Sequence, residues 1–486
     1  MSDVSKNIIR NTFWLALAKG FNSVISYILI VAIAKFLGDV GLGQYSFVFA
    51  FVGLIFLLGD LGLNYLMIKD VSRDKKTAQR YFENILAIKI VSGLLLIGIS
   101  FLITLFIDKD PMVIRSLWVV IISQFFGLFS LFFSDFFKSH DQMSFEAISS
   151  IIERIAALGL GLYFLFTSQS LLLFVVALLI AQLLRLGYLI IFIRKKVKFR
   201  LSFDMKIWKE MFLLGLPFFL TGAFIFIYFR IDTVMLSFMQ GDQVTGWYNS
   251  AYKLINILSL IPMILITATL PSMSRLFKEN KPTLIKLFHR SFKYLFMIAL
   301  PITIGTIVLS ERFIFFIYGK SFLGGSLSLQ ILVLAELFLF VNYIMGHLLN
   351  SIDKQKYFMY IAGFCALFNI VLNAFLIPIY SYVGAGVATV LTELINFLLL
   401  RKYVGLYLTK VKITTPIFKS FIAAILMGIV IYYLRFLPVW WVVPIAVIIY
   451  AVLLLIFKLD KDDKDLAKGL FDSFMRIFKR VFKISN

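Results

Sequence analysis

The chain has 486 residues, of which 61% are hydrophobic, 17% aromatic and only 15% charged, and its mean hydropathy is +0.95. Soluble domains are nearer 45–50% apolar and about 25% charged, so this composition excludes a soluble globular protein and makes lipid the solvent. The net charge of +22 would suit a nucleic-acid partner, but the lysines and arginines cluster in alternate short loops, which excludes that reading.

Apolar runs of about twenty residues, the length of a membrane span, predict helices at 13–37, 43–64, 83–107, 116–137, 146–166, 171–193, 211–237, 248–272, 291–309, 327–350, 357–379, 384–400, 417–437 and 441–457. Residues 1–12 offer no small-residue cleavage site, so the first run is expected to stay as a helix. Fourteen spans put both termini on one side. The termini and the loops 65–82, 138–145, 194–210, 273–290, 351–356 and 401–416 hold most of the Lys and Arg, including Arg194, Lys195, Lys196, Lys198 and Arg200. The opposite loops hold about five: Lys109, Arg115, Arg312, Lys320 and Arg435. The positive-inside rule then makes both termini cytoplasmic in a multi-pass cell-membrane protein, and the excess charge faces anionic headgroups. Beyond span 14, Leu470, Phe471, Phe474, Ile477, Phe478 and Phe482 recur at helical spacing among basic residues, which predicts an amphipathic helix on the cytoplasmic interface over 458–486.

The turn after span 1 reads Gly38-Asp39-Val40-Gly41-Leu42-Gly43-Gln44-Tyr45, and the turn after span 7 reads Gly241-Asp242-Gln243-Val244-Thr245-Gly246-Trp247-Tyr248. Both are G-D-x-x-x-G-x-Y, 203 residues apart. Ser139-His140-Asp141 after span 4 is echoed by Ser351-Ile352-Asp353 after span 10, 212 residues on. Six spans leave the topology unchanged, so the halves are expected to be parallel repeats about the membrane normal. The expected architecture is an all-α polytopic membrane protein of about 14 transmembrane helices. It has a six-helix lobe at 1–209, a second at 210–402, two added helices at 403–457 and the basic tail. Two such bundles with a cleft between them are transporter architecture.

No catalytic residue and no cofactor is expected. There is no GxxxxGK[ST] loop and no GxSxG elbow, and the loops are too short for a separate catalytic domain. Cys365 stands alone, and His140, His289 and His347 are scattered, so no metal site is expected either. What remains is charge within the spans, which by default marks a bundle interior or a polar cavity. The cations are Lys19, Lys89, Arg154, Arg185, Arg230 and Lys253. The anions are Asp60, Asp135, Glu153, Asp232, Glu336 and Glu393. Lys19 shares a helix face with Asn22, Ser23, Ser26 and Tyr27, and Lys253 with Asn249 and Asn256. Lys19 and Lys89 lie near the cytoplasmic edge, where they can also snorkel. Asp60 and Asp135 read as structural partners or caps. Glu153 and Arg154 are adjacent and need separate partners. Arg230 and Lys253, in consecutive spans, are expected to converge on one anion. Pro217, Pro262, Pro271 and Pro301 favour bends in spans 7 to 9.

Gly59-Asp60-Leu61-Gly62-Leu63 with Ile68-Lys69-Asp70-Val71-Ser72-Arg73-Asp74 resembles the end of span 2 in the oligosaccharide (O-antigen) flippases of the multidrug/oligosaccharidyl-lipid/polysaccharide exporter superfamily. Arg230-Ile231-Asp232-Thr233-Val234-Met235-Leu236 with Val244-Thr245-Gly246-Trp247-Tyr248-Asn249-Ser250-Ala251-Tyr252-Lys253-Leu254 is similar to that family's spans 7 and 8, as is Ile317-Tyr318-Gly319 after span 9. The resemblance implies a two-lobed fold and a cationic central cavity receiving a polyprenyl-phosphate or pyrophosphate glycan, with the lipid tail left in the bilayer. Arg230, Lys253, Arg185, Arg154, Lys19, Lys89, Asn249 and Asn256 are then the candidate substrate residues. Asp60, Asp232, Glu336 and Glu393 are ion-coupling (H+ or Na+) or structural acids. The expected protein is a monomeric flippase. The alternatives are a cation-coupled multidrug exporter or lipid II flippase of the same superfamily, and, in another class, a membrane glycan polymerase or ligase.

Overall fold

The computed structural model describes residues 3–411 and 415–457; the tail helix expected over 458–486 lies outside them. Every regular element among the described residues is helical. In chain order these are α1 (Asp3–Phe56), α2 (Leu63–Arg73), α3 (Ala78–Thr104), α4 (Pro111–Ser139), α5 (Met143–Ser168), α6 (Leu171–Ile193) and α7 (Met205–Met239). There follow α8 (Asp242–Leu258), α9 (Leu260–Glu279), α10 (Lys281–Tyr318), α11 (Gly325–Ser351), α12 (Gln355–Tyr407), α13 (Thr415–Tyr433) and α14 (Val439–Ile456).

Every predicted span falls on a helix. By length and apolarity eleven segments qualify as membrane spans, against fourteen expected. Two of the eleven carry two predicted spans each: α1 is broken at Gly38 (φ 69°) and α12 at Ser381 (φ 54°). The shorter α13 falls outside the eleven. The prolines act unequally. α7, α9 and α10 run through Pro217, Pro271 and Pro301, whereas α8 ends at Leu258, four residues before Pro262, whose missing N–H leaves the Leu258 carbonyl without its helical partner. Aspartates start several helices: Asp110 accepts from the Met112 amide at 2.7 Å ahead of Pro111, and Asp204 from Lys206 at 2.9 Å. Each satisfies an otherwise orphan donor of the first turn.

The chain forms two compact units. The first holds Met1–Leu254, Ile317–Ser328 and Gln355–Thr392; the second holds Ile255–Phe316, Leu329–Lys354 and the described residues from Glu393 on. The first unit is built around phenylalanine: Phe82 stacks on Phe132 (5.3 Å between centroids) and Phe133 (6.0 Å) in a cluster with Leu63, Met67, Phe136, Phe137 and Leu189. Gly62 (φ 73°) packs directly on α7; a Cβ there would lie 2.3 Å from the Gly215 carbonyl oxygen. In the second unit Leu309, Met427, Ile431, Val442 and Ala446 form a smaller core that joins α10, α13 and α14.

The repeat is a repeat of backbone as well as of letters. Gly38 and Gly241 both have positive φ (69° and 85°), and so do Asp141 and Asp353 (58° and 60°). A third pair, Gln169 (47°) and Ser381 (54°), recurs at the same offset of 212 without any shared letter. The two G-D-x-x-x-G-x-Y turns also meet within the first unit. Asp39 accepts from Gln243 Nε2 and Trp247 Nε1, both at 3.0 Å. Gly43 lies against the Asp242 carbonyl, and Gly246 against the Asp39 carbonyl.

Three of the five basic residues on the sparsely charged loops have structural work. Lys109 donates to Asp242 (2.7 Å) and to the Ser237 carbonyl and hydroxyl oxygens (2.7 and 2.9 Å). Arg312 donates to the Leu437 carbonyl at 2.6 Å. Arg435 stacks over Tyr432 at 4.4 Å.

Candidate functional site

The charges within the spans separate into two groups. The first consists of cations already committed to carboxylates. Lys89 of α3 is fully buried and donates to Asp60 at 2.9 Å, just before the Gly62 turn. Arg185 of α6 donates to Glu153 of α5 at 2.8 Å and to Ser134 of α4 at 3.3 Å. Lys138 bridges Asp135 and Glu146, both at 2.9 Å. Asp60 and Asp135 thus each accept from a lysine. Arg185 and Lys89 were expected among the cavity cations; the structure ties both into helix-packing ion pairs instead. Each charge is tolerated within the spans because a carboxylate is paired with it.

The second group is Arg154 of α5, Arg230 of α7 and Lys253 of α8. All three are half-buried, and none has a carboxylate oxygen within 4.0 Å among the described residues. Arg154 and Arg230 both bear electrostatically on the Tyr45 phenol of α1, and Arg230 and Lys253 bear on one another. Four helices of the first unit therefore place Arg154 and Arg230 within electrostatic reach of Tyr45, and Lys253 within reach of Arg230. Like charges so placed repel, a cost that an anion bound among them would relieve. As the sequence required, Glu153 and Arg154 diverge, one into an ion pair and the other toward Tyr45.

Arg230 also acts on Asp232, but that carboxylate is engaged elsewhere. Asp232 is buried, accepts from the Tyr248 hydroxyl and from the Thr233 amide (2.7 Å), and so anchors α7 to α8. Asn249, expected to line the same face as Lys253, is fully buried. Its amide donates to the Thr245 carbonyl (3.0 Å) and its oxygen accepts from Thr233 (3.3 Å), so it belongs to the packing rather than to a ligand surface. Asn256 and Lys19 are exposed. The remaining acids, Glu336 and Glu393, lie in the second unit. Glu336 accepts from Ser259 at 2.8 Å through one oxygen, while its other oxygen is buried without a hydrogen-bond partner. Glu393 accepts from Asn342 at 2.5 Å and Asn396 at 3.3 Å and lies within electrostatic reach of Glu336.

The residue that sequence reasoning missed is Tyr45. It is the last residue of the first repeat motif. The available signal was its partner in the repeat: Tyr248 turns its hydroxyl inward onto Asp232, and Tyr45 occupies the equivalent position.

With the geometry in hand, comparisons with known proteins agree on a family. Residues 8–277 match the polysaccharide biosynthesis protein family, and residues 217–375 match the MatE family. A probable flippase of Haloferax volcanii is 24% identical over 228 residues, 46% of this chain and 47% of its own. A Shigella flexneri protein named as an O-antigen transporter is 21% identical over 415 residues, 81% of this chain and 97% of its own. Among solved structures, the lipid II flippase MurJ in an inward closed conformation superposes with a TM-score of 0.76 at 17% identity, covering 94% of this chain and 99% of that one, a likeness of fold. The family match spans 270 of the 486 residues, more than half, and this chain belongs to the polysaccharide biosynthesis protein family of multi-pass membrane proteins.

Proposed function

We propose that this protein is a flippase that carries a lipid-linked oligosaccharide, a glycan on a polyprenyl phosphate or pyrophosphate, across the cell membrane by alternating access, for polysaccharide or glycoconjugate synthesis. The observation that carries the reading is a set of three cations within membrane helices and without carboxylate partners among the described residues: Arg154 and Arg230 act on Tyr45, and Lys253 is within electrostatic reach of Arg230. A phosphate or diphosphate cannot enter hydrocarbon with its hydration shell, and two guanidinium groups and an ammonium replace that shell in kind. The glycan stays with the headgroup and the polyprenyl tail stays in lipid.

The names of the relatives support the same class: a flippase and an O-antigen transporter. A multidrug exporter of cationic compounds calls for the opposite polarity at this site. A lipid II flippase shares both the fold and the diphosphate, and substrate competition separates it from a glycan flippase. A polymerase or ligase would consume the lipid-linked glycan rather than relocate it. We further propose that both termini are cytoplasmic, that residues 1–209 and 210–402 act as the two repeats of the transport cycle, and that a proton or sodium ion drives it.

The test is leaflet-resolved accounting of a fluorescent lipid-linked oligosaccharide in proteoliposomes. Unchanged covalent structure with movement between leaflets supports the reading; chain extension or transfer of the glycan supports the polymerase or ligase.

A further inference from the structure

The end of α12 carries a second concentration of positive charge, unconnected with the three-cation site. Leu398, Arg401, Lys402 and Gly405 recur at three and four residues, so they share one face of the last turns. After Tyr407 the chain folds back: the amides of Leu408 and Thr409 both donate to the Val404 carbonyl at 3.0 Å. That reversal turns Lys410 and Val411 toward the same face. The six residues line an open hollow of about 420 Å³, within the roughly 300–1,000 Å³ of small-molecule sites.

The lining has one sign. It holds three cations and no acid, and none of the three has a carboxylate within 4.0 Å among the described residues. A fourth cation at this end, Lys354, is held over the Tyr407 ring at 4.6 Å. A helix C-terminus favours a cation in its last turn, which accounts for one such residue but not for three around a cavity. The floor is made by a glycine: a Cβ on Gly405 would meet no atom within 4 Å, so the space belongs to the cavity rather than to a packed neighbour. One wall, Leu398, is apolar and half exposed on the span itself. A ligand of this site therefore has an anionic head and an apolar continuation along the helix.

We propose that this cavity is a docking site for the headgroup of an anionic phospholipid, with the phosphodiester held by the Arg401 fork and by the point charges of Lys402 and Lys410. The acyl chains would run past Leu398. Basic residues at a membrane surface each attract anionic lipid, and three of them around one hollow favour one retained molecule. The inference rests on the cavity alone and stands or falls independently of what the protein transports.

The experiment uses the full chain in detergent and compares retained phosphatidylglycerol with phosphatidylcholine by native mass spectrometry and thermal shift. Inorganic phosphate and glycerol phosphate serve as soluble arms. Two variants bracket the mechanism. Arg401→Gln/Lys402→Gln/Lys410→Gln removes the charge. Gly405→Leu fills the cavity without touching a charge, and leucine suits a helix better than glycine. The expected result is one tightly retained phosphatidylglycerol in the wild type, weakened by at least about tenfold in both variants, with the thermal preference for phosphatidylglycerol over phosphatidylcholine lost in both. Wild-type retention in Gly405→Leu would overturn the proposal in favour of a diffuse charged surface. Equal protection by inorganic phosphate would overturn it in favour of a free-anion site.

Discussion

Gly43 and Gly246, 203 residues apart, fit together because neither has a side chain. A Cβ on Gly43 would stand 1.8 Å from the Asp242 carbonyl oxygen, and one on Gly246 would stand 1.9 Å from that of Asp39. The contact is reciprocal, as it must be when two copies of one motif meet about a local two-fold axis. Backbone atoms cannot step aside as the tip of a flexible side chain can, so Gly43→Ala or Gly246→Ala has to part the two turns. Each substitution is expected to cost on the order of 1–3 kcal/mol, read as a lower thermal midpoint of the purified protein. Gly98, around which a Cβ would meet nothing within 4 Å, is the control: Gly98→Ala should leave the midpoint unchanged or raise it.

The two groups of cations make opposite predictions. Removing Lys89 or Arg185 takes the ion-pair partner from the partly buried carboxylate of Asp60 or Glu153; Lys89→Ala and Arg185→Ala should therefore lose protein level and thermal stability first. Arg230→Ala and Lys253→Ala break no ion pair, Asp232 keeps its bonds from Tyr248 and Thr233, and both relieve mutual repulsion. They should fold as well as wild type while flipping of lipid-linked oligosaccharide, at matched amounts of folded protein, falls by at least about tenfold. Arg230→Lys should recover part of the activity, less than fully if the phosphate is bound at two points. Full flipping in both alanine variants removes Arg230 and Lys253 from the substrate site.

Much of the fold was legible because hydropathy along the chain is governed by one strong requirement, the lipid, and each predicted span falls on a helix. The glycine break between spans 1 and 2 was visible in the letters; its counterpart at Ser381 was not, because serine seldom takes a positive φ and nothing local announces one. The two groups of cations could not be told apart from sequence. Whether Arg185 meets Glu153, or Lys89 meets Asp60, depends on how α3 to α6 pack, and spacing within one helix carries no record of it. Asn249 misled for the same reason: a polar residue one turn from Lys253 looks like a cleft lining until Thr233 and Thr245 are seen to satisfy it.

Membrane orientation is open to direct labelling. Lys196 lies in the basic connection after α6 and Lys320 in the turn after α10, both exposed, while the native Cys365 is buried. In a Cys365→Ala background, an impermeant maleimide added to intact cells should modify Lys320→Cys and spare Lys196→Cys until the membrane is opened. Labelling of Lys196→Cys from outside would invert the topology.

His140 gives a pH dependence with a definite sign. It closes α4, its Nδ1 lying 3.0 Å from the Phe136 carbonyl and its ring tilted against Phe136 at 4.5 Å between centroids. Burial holds the imidazole below its ordinary value, and the Lys75 and Lys196 charges push the same way. The unfolded chain therefore takes up its proton first, at about pH 6.5, so stability is full above that pH and declines as pH falls through the window below it. The thermal midpoint should drop between pH 7.5 and pH 5.5, and His140→Gln should flatten part of that slope.

Glu336 is the acid best suited to a coupling role. Ser259 satisfies one of its oxygens at 2.8 Å, the other is buried without a partner, and Glu393 adds a second carboxylate within electrostatic reach. An orphan buried oxygen is costly, and a proton or small cation arriving there would remove the cost. Glu336→Gln keeps the shape and the Ser259 bond but cannot exchange a proton. If uptake at this site drives transport, the variant should fold normally, and flipping in proteoliposomes should no longer accelerate when a pH or sodium gradient is imposed. If Glu336 is only a packing residue, the gradient response survives in Glu336→Gln. Glu336→Ala then shows the remaining loss as stability alone, on the order of 1–3 kcal/mol from the emptied volume. The two readings separate on the gradient response, which a structural role leaves untouched.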